Sequence, residues 1–218
     1  MRVELINKSE KILETMYIAA KTCYSAESPI DIKVNDEPFK LIKKVLDSGH
    51  SSIAEHISFT FAIEGISRAC SHQLVRHRLC VFSQQSQRYV NMKNAEFVVP
   101  FGLKKEENDK IGALINLTMK TYNELIEAGV KQEDARAILP NCCTTNLVMT
   151  CNLRELMHIC NLRMCTRAQK EIRELVTLMV KEVLRVVPQM EEYLAPNCER
   201  LGFCPEQHGS CGRKPQKG

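Results

Sequence analysis

The sequence lacks several features that would assign it to a specialised class of protein. Its 218 residues include no tryptophan and only nine glycines, and no apolar run approaches the roughly 18 residues that a membrane-spanning helix needs. Hydrophobic residues make up 44% and charged residues 26%, fractions typical of folded globular chains rather than disordered or collagen-like ones. A Gly-x-Gly-x-x-Gly segment is also missing, which argues against a Rossmann dinucleotide site.

The amino-terminal segment lacks the marks of a secretory signal, because Glu4 interrupts it and no apolar core follows. The eleven cysteines form an odd number, at a density below that of disulfide scaffolds. We therefore expect a cytoplasmic protein with free thiols, no membrane segment and no membrane partner.

A carboxy-terminal tail at 198–218 differs from the domain predicted at 1–197. It gathers three thiols and an imidazole among Pro and Gly residues: Cys198, Cys204, His208 and Cys211. Zinc accepts such a ligand set, but the spacing matches no standard finger. A metal-free tail packed on its own loops is about equally consistent with the sequence. No metal ligand is assigned elsewhere.

The hydrophobic pattern predicts an α+β domain with long helices around a few strands. Ile57, Phe59, Phe61 and Ile63 alternate with polar or small residues, as in a half-buried strand. Further strands are expected at 2–6, 96–99 and 141–150, with 85–90 also extended. Helices are expected after a Ser9 cap, at 38–49, from a Ser67 cap to about Arg78, at 104–128, at 132–139 and at 153–187 with a soft break near 165–166.

Charge is distributed unevenly along the chain. The net charge is only +4, too small to imply nucleic-acid binding by itself. From Gly65 to Ala95, however, no acidic residue occurs among four arginines and a lysine. A mostly Arg stretch of this kind indicates recognition of phosphate or carboxylate.

The densest part of this stretch runs from Gln73 to Arg78 and from Ser83 to Tyr89. Two arginines around His77 offer forked donors for a phosphate or a pyrimidine carbonyl. Cations that complement a helix carboxyl end are the alternative explanation for Arg76 and Arg78. That alternative weakens because Gln, Ser and Arg groups continue for ten residues. The stretch holds neither an obvious nucleophile nor a carboxylate base, so the chemistry must come from a cofactor.

The order Arg76-His77-Arg78, seven residues, then Ser86, continued by Arg88-Tyr89, resembles the signature of flavin-dependent thymidylate synthases. Other segments are similar to that family in the same order, and together they cover residues of about 49 to 170: Gly49-His50-Ser51-Ser52 with Glu55-His56 and the aromatic-rich strand that follows, Ala135-Arg136-Ala137-Ile138-Leu139-Pro140, Asn152-Leu153-Arg154-Glu155-Leu156 and Asn161-Leu162-Arg163.

The resemblance implies the family's fold, with long helices packed on a small, mostly antiparallel sheet. It implies reductive methylation of dUMP to dTMP in de novo dTMP biosynthesis, with FAD as cofactor. Methylenetetrahydrofolate would donate the carbon and NADPH would reduce the flavin. It also implies a homotetramer in which each site is built from more than one subunit.

Site residues follow from the resemblance position by position. The flavin positions are His50, Ser52, Arg76, His77, Arg78, Gln84, Asn152, Arg154 and His158. The dUMP positions are Gln73, Arg76, Gln84, Gln85, Ser86, Gln87, Arg88, Arg136 and Arg163, with the phosphate near Ser86, Arg88 and Arg136.

Four positions depart from the pattern common in the family. Ser83-Gln84 stands where many members carry Asn-Glu, so an amide replaces a carboxylate. His158 stands where many members have Asn, and Arg167 replaces a usual histidine. The Cys-containing tail has no counterpart in the general pattern.

We predict that Arg163 is the catalytic group. A guanidinium stays protonated and can contact two ring atoms, so it can stabilise negative charge on N3 and O4 of uracil while C5 attacks carbon. A thiolate at Cys80, Cys142 or Cys143 is the covalent alternative, but small buried cysteines are the more ordinary interpretation.

Two other functional classes compete with a flavoenzyme. A nucleic-acid-binding module is disfavoured because the chain has no Trp and few aromatics beside its arginines, so no nucleic-acid partner is expected. A zinc-organised interaction protein would use the tail alone. Neither class accounts for the ordered segments between His50 and Arg163.

Overall fold

The computed structural model describes residues 1–206 and 208–216 and has the predicted α+β architecture. Gln207, Lys217 and Gly218, which belong to the predicted tail, lie outside the described residues.

The strands are β1 (Arg2–Lys8), β2 (Ser58–Ser67), β3 (Val81–Gln84) and β4 (Thr144–Asn152). The α-helices are α1 (Ile12–Thr22), α2 (Pro38–Asp47), α3 (Arg68–Leu74), α4 (Lys105–Glu127), α5 (Gln132–Ala135), α6 (Leu153–Arg163), α7 (Lys170–Leu184) and α8 (Asn197–Leu201), and 3-10 turns span Ser51–His56, Arg136–Ile138 and Pro188–Tyr193.

The four strands form one small antiparallel sheet in the order β1-β2-β4-β3. The alternation in β2 is confirmed, because Phe59, Phe61 and Ile63 are all buried. The same alternation continues in β4, where Thr145, Leu147 and Met149 are buried. Period-two burial of this kind fixes which side of each strand faces apolar surroundings.

The described residues group into two compact units. The first unit comprises 1–2, 63–76 and 82–148, and the second comprises 3–62, 77–81 and the chain from Met149 onward. In the first unit, Tyr122 of α4 is fully buried against Met92, Ala135 and Cys143.

In the second unit, α7 contributes a fully buried apolar face. This face repeats at helical spacing and consists of Ile172, Leu175, Val176, Met179 and Val183. Packing of this stripe, rather than helix propensity alone, is what stabilises a helix of this length.

Two predicted helix boundaries are wrong. Ser9 does not cap α1, because its hydroxyl accepts from the Ser58 backbone N–H at 2.9 Å, and α1 begins after Lys11 in a left-handed conformation. Ser67 does cap α3, accepting from Cys70 N at 3.0 Å. The helix nevertheless ends at Leu74, so Arg76, His77 and Arg78 lie in a turn segment beyond it.

The segment from Gln85 to Val90 is a turn and not the predicted extended run. The backbone N–H groups of Tyr89 and Val90 both donate to the Ser86 carbonyl, at 3.3 and 3.0 Å. The extended stretch is β3, which immediately precedes it. Over the part of the chain that the structure describes, no helix is long and apolar enough to cross a bilayer.

Candidate functional site

The predicted site residues divide between the two units largely by predicted role. Most flavin positions belong to the second unit: His50, Ser52, His77, Arg78, Asn152, Arg154 and His158. Most nucleotide positions belong to the first: Gln73, Arg76, Gln84, Gln85, Ser86, Gln87, Arg88 and Arg136. Arg163, predicted to contact the uracil, belongs to the second unit, whereas Arg76 and Gln84, assigned to both ligands, belong to the first.

Helix α6 positions the polar groups of the second unit. Asn152 caps the helix, since its Oδ1 accepts from the backbone N–H of Glu155 at 2.8 Å. Glu155 and His158 are three residues apart, so they share one face of the helix. Arg163 ends the helix, where a cation complements the helix dipole.

His77 lies between Glu155 and Arg163. Its Nδ1 is 3.2 Å from Oε1 of Glu155, and its Nε2 accepts from Nε of Arg163 at 3.1 Å. His77 is 5% exposed and Glu155 is 6% exposed, so both polar groups depend on these contacts for their hydrogen bonds. The His158 ring meets the His77 ring edge-on, with centroids 5.9 Å apart.

The environment of His77 keeps its imidazole neutral. Burial, together with the charges of Arg163 and His158, lowers the pKa of His77 to about 4. Burial raises the pKa of Glu155, against a smaller opposing effect of His158. A neutral imidazole can accept from the Arg163 guanidinium, which an imidazolium could not do.

A metal ion is an alternative occupant of this cluster. Ligand atoms of His77, Glu155 and His158 lie within 4.8 Å of one another, and two imidazoles with a carboxylate are a set that zinc accepts. The permanent positive charge of Arg163 would repel a cation, because Arg163 Nε lies 3.1 Å from Nε2 of His77. We therefore interpret the cluster as a hydrogen-bonded one.

A second acidic residue holds another predicted flavin residue. Nη1 of Arg154 forms an ion pair with Glu55 of the 3-10 turn that follows α2. Gly49, at φ 89°, ends α2, and the N–H groups of Gly49 and His50 donate to Leu46 and Val45. This Schellman-type ending directs the chain so that His50 and Ser52 are exposed.

In the first unit, Gln84 is fixed by two hydroxyls. Its Nε2 donates to Ser71 Oγ at 2.9 Å and to Thr145 Oγ1 at 3.2 Å. Ser71 Oγ in turn donates to the Arg68 carbonyl at 3.0 Å. Because the Ser71 proton is used in that bond, position 84 must supply a donor, and an amide does so where a carboxylate could not.

Arg88 and Arg136 both contact Glu133. Glu133 Oε2 accepts from Nε and Nη2 of Arg88, at 2.9 and 2.8 Å, and the Glu133 carbonyl accepts from Nε of Arg136 at 3.2 Å. Arg88 and Arg136, both predicted to bind the phosphate, therefore lie next to the same residue, Glu133. Ser86 stands at the start of the adjoining turn, where its Oγ accepts from Arg88 N at 3.2 Å.

The remaining residues predicted to bind dUMP or the flavin range from buried to exposed. Gln87 is 8% exposed and donates to the Cys143 thiol at 3.8 Å. The backbone N–H of Gln85 donates to the Asn146 carbonyl at 2.9 Å, whereas Gln73 is half-buried on α3. Arg76 and Arg78 are exposed.

Two of the three candidate nucleophilic thiols, those of Cys142 and Cys143, lie in surroundings that disfavour a thiolate. Burial raises the pKa of Cys142 and of Cys143. Cys80 hydrogen-bonds to Cys151, and that bond together with burial raises the pKa of Cys151. At Cys142 and Cys143 these surroundings oppose a cysteine adduct.

The described part of the tail is held by Arg167, the residue that departs from the family pattern. Its Nη1 donates to the His208 carbonyl at 3.2 Å and lies 3.6 Å from Glu206. Cys165, Cys198 and Cys204 line one cavity of about 270 Å³. Within residues 1–206 and 208–216, however, the tail thiols and His208 do not form a close metal-ligand cluster.

Sequence reasoning missed the acidic and hydroxyl partners of the site. Glu55, Glu133 and Glu155 lie far along the chain from the arginines and histidine that they contact, except for the neighbours Glu133 and Arg136. The one local signal is Asn-x-x-Glu at 152–155, which indicates the start of a helix but not a partner for His77.

Comparison with known proteins identifies the family of this chain. The family model for thymidylate synthase complementing protein matches residues 4–189. The flavin-dependent thymidylate synthase of Pyrococcus abyssi is 43% identical over 95% of this chain and 90% of its own, and that of Geobacter sulfurreducens is 38% identical over 98% and 94%. The chain belongs to the flavin-dependent thymidylate synthase family.

Solved structures show the same fold. Thymidylate synthase X of Helicobacter pylori, crystallised with FAD and dUMP, aligns with a TM-score of 0.73 at 25% identity, covering 91% of this chain and 98% of that one. The UMP/dUMP methylase PolB of Streptomyces cacaoi, bound to 5-Br dUMP, aligns with a TM-score of 0.76 at 24% identity, covering 88% and 93%. The fold expected from the sequence is thereby confirmed.

Proposed function

We propose that the chain converts dUMP to dTMP by reductive methylation, as an FAD-dependent enzyme of de novo dTMP biosynthesis. The observation that supports this most is the contact of Arg163 with His77 at 3.1 Å. It holds the predicted catalytic guanidinium against a histidine of the signature Arg76-His77-Arg78. Membership of the family supplies the reaction class.

The residues of the second unit fit a flavin dinucleotide. Exposed Arg78 and Arg154 offer cationic donors for a pyrophosphate, and exposed His50, Ser52 and His158 offer polar groups for a ring edge or ribose. Bound FAD would supply hydride chemistry, which no side chain provides. NADPH would be its reductant, and methylenetetrahydrofolate would be the carbon donor.

The first unit offers the chemistry that a nucleoside monophosphate requires. Arg88 and Arg136 supply guanidinium donors, and Ser86 supplies a hydroxyl at the start of an adjoining turn. Gln84 uses its two N–H donors on Ser71 and Thr145, which leaves its carbonyl oxygen as an acceptor for a pyrimidine edge. We propose that dUMP binds there, with its phosphate near Ser86, Arg88 and Arg136.

Arg163 would activate the nucleotide without a covalent bond. A guanidinium that contacts N3 and O4 of uracil stabilises negative charge there, so C5 can attack the one-carbon electrophile. Completion of the methyl group would require loss of the C5 proton to solvent, cleavage of the bond between the transferred carbon and the folate nitrogen so that tetrahydrofolate leaves, and a hydride, which is the chemistry that reduced FAD would supply. A buried neutral His77 assists by accepting from Arg163 Nε without adding positive charge.

The assembly and location remain part of the proposal. We infer a homotetramer whose sites take residues from more than one subunit, acting on small molecules in the cytoplasm. The assembly follows from the family resemblance, and the location follows from the odd number of cysteines at a density below that of disulfide scaffolds.

A spectrum combined with product analysis tests the proposal. The purified full-length chain should absorb as a flavoprotein, and NADPH should bleach that absorbance anaerobically. With dUMP and methylenetetrahydrofolate added, chromatography should show dTMP, and omission of any one component should abolish it. A protein that takes up no FAD, or that makes no dTMP with all components present, would refute the proposed function.

A further inference from the structure

Glu155 has no assigned role, yet it is one of two buried glutamates in the described residues, with Glu171. A buried carboxylate is costly unless hydrogen bonds compensate it. Its side chain meets His77 Nδ1 at 3.2 Å, and its backbone is fixed by the Asn152 cap at 2.8 Å. The acid is therefore placed against one nitrogen of the histidine that contacts Arg163.

The hydrogen-bond directions in this cluster follow from donor chemistry. Arg163 has only N–H donors, so His77 Nε2, 3.1 Å from Arg163 Nε, must be the acceptor. A neutral imidazole carries one proton, which must then be on Nδ1. That proton faces Oε1 of Glu155, which accepts it. The order of donation is therefore Arg163 to His77 to Glu155.

We propose that Glu155 is a positioning residue for Arg163 that acts through His77. By accepting from Nδ1–H, it fixes the His77 tautomer and the orientation of the ring. The correctly oriented Nε2 then holds Arg163 Nε, which sets the plane of the guanidinium. This inference rests on the proposed function, because the role of Arg163 as the uracil-polarising group belongs to it.

The alternative tautomer would disrupt the contact. With a proton on Nε2, two donors would face each other across 3.1 Å, and Arg163 would have to turn away. Without an acceptor at position 155, Nδ1–H loses its buried partner, and the energetic preference for this tautomer weakens. A carboxylate that orients a histidine through Nδ1–H commonly affects activity by about 10–100-fold in metal sites, and we expect a similar range here.

Three variants separate positioning from folding. Glu155→Ala removes the acceptor, Glu155→Gln keeps a carbonyl acceptor, and Glu171→Ala removes the other buried glutamate, which lies in the first turn of α7. In Glu155→Ala we expect kcat to fall by about 10–100-fold while FAD content is retained. In Glu155→Gln, kcat should stay within about threefold of wild type. Glu171→Ala should leave kcat unchanged, whatever its effect on stability.

Nitrogen NMR of histidine-labelled protein gives a readout that does not depend on turnover. The His77 signal, assigned by its loss in His77→Gln, should show Nδ1–H in wild type and in Glu155→Gln. In Glu155→Ala it should shift toward a mixture of tautomers. Nε2–H in the wild-type protein would overturn the proposal even if Glu155→Ala fails to fold.

The failures of the two proposals are distinguishable. If wild type makes no dTMP, the proposed function fails. The NMR measurement still tests whether His77 donates from Nδ1 to Glu155. If wild type makes dTMP but Glu155→Ala keeps both kcat and the Nδ1–H tautomer, only the role of Glu155 fails. A fall in kcat with an unchanged tautomer would also refute a role that acts through His77.

Discussion

His77 Nε2 accepts a hydrogen bond from Arg163 Nε, although 86 residues separate the two in sequence. This contact joins the signature segment to the end of α6 and gives the predicted catalytic guanidinium a fixed neighbour. It requires an unprotonated Nε2, so it makes the site sensitive to pH from the acid side.

The first prediction concerns stability below pH 7. The pKa of His77 is lowered to about 4 in the folded chain by burial and by Arg163, whereas an unfolded histidine titrates near 6.5. The unfolded state therefore binds the proton first as pH falls. The folded state should lose about 3 kcal/mol between pH 7 and pH 4 from this group.

Urea unfolding of wild type and His77→Gln over that pH range measures the contribution of His77. As pH falls from 6.5 to 4, the unfolding free energy of wild type should decrease more than that of His77→Gln. The variant lacks the imidazole whose protonation destabilises the folded state. Parallel pH profiles for the two proteins would contradict the assignment.

A second prediction concerns the cap of α6. Asn152 Oδ1 accepts from Glu155 N at 2.8 Å, so Asn152→Ala should cost about 1 kcal/mol of unfolding free energy. Asn152→Asp keeps an acceptor and favours the helix amino end, so its stability should stay close to wild type. Urea denaturation of both variants checks this, and equal losses would show that the cap is not what stabilises the helix.

A third prediction concerns the amide at position 84. Because Ser71 Oγ already donates to the Arg68 carbonyl, Glu in place of Gln84 would set two acceptors against each other. Gln84→Glu should therefore cost about 1–2 kcal/mol of stability at pH 7. Its cost should be smaller in a Ser71→Ala background, since the clashing acceptor is gone. An additive double-mutant cycle would refute this coupling.

A fourth prediction concerns the proposed phosphate contact. Glu133 accepts from both Nε and Nη2 of Arg88, a geometry that lysine cannot reproduce. Arg88→Lys should raise KM for dUMP about tenfold with FAD content unchanged. Arg185→Lys, an exposed arginine paired with Glu182 on α7, is the matched control. Similar KM values for the two variants would remove Arg88 from the site.

Local patterns in the sequence were sufficient to predict secondary structure where a segment determines its own conformation. The alternation of Phe59, Phe61 and Ile63 specified β2, and the amphipathic pattern at 104–128 specified α4 to within a residue at each end. Gly49 ended α2 as predicted. In each case the signal and its structural consequence lie within about ten residues of one another.

The wrong expectations arose where a distant contact decided the outcome. The Ser9 hydroxyl is used by Ser58 N, 49 residues away, so it is not available to cap α1. The helix before the signature ends at Leu74, and His77 meets partners 78 and 86 residues further along the chain. Site positions could be named from the family pattern. The contact of Glu155 with His77 and that of Glu133 with Arg88 could not be predicted, because nothing local links these residues.

Formation of dTMP by Arg163→Ala decides whether a guanidinium takes the place of a covalent nucleophile. The variant should bind FAD and be reduced by NADPH like wild type, yet form dTMP at least about a hundredfold more slowly, because the stabilisation of charge on N3 and O4 is lost. Arg185→Ala serves as the control and should turn over normally. Full dTMP formation by Arg163→Ala would contradict the claim that this guanidinium replaces a covalent nucleophile.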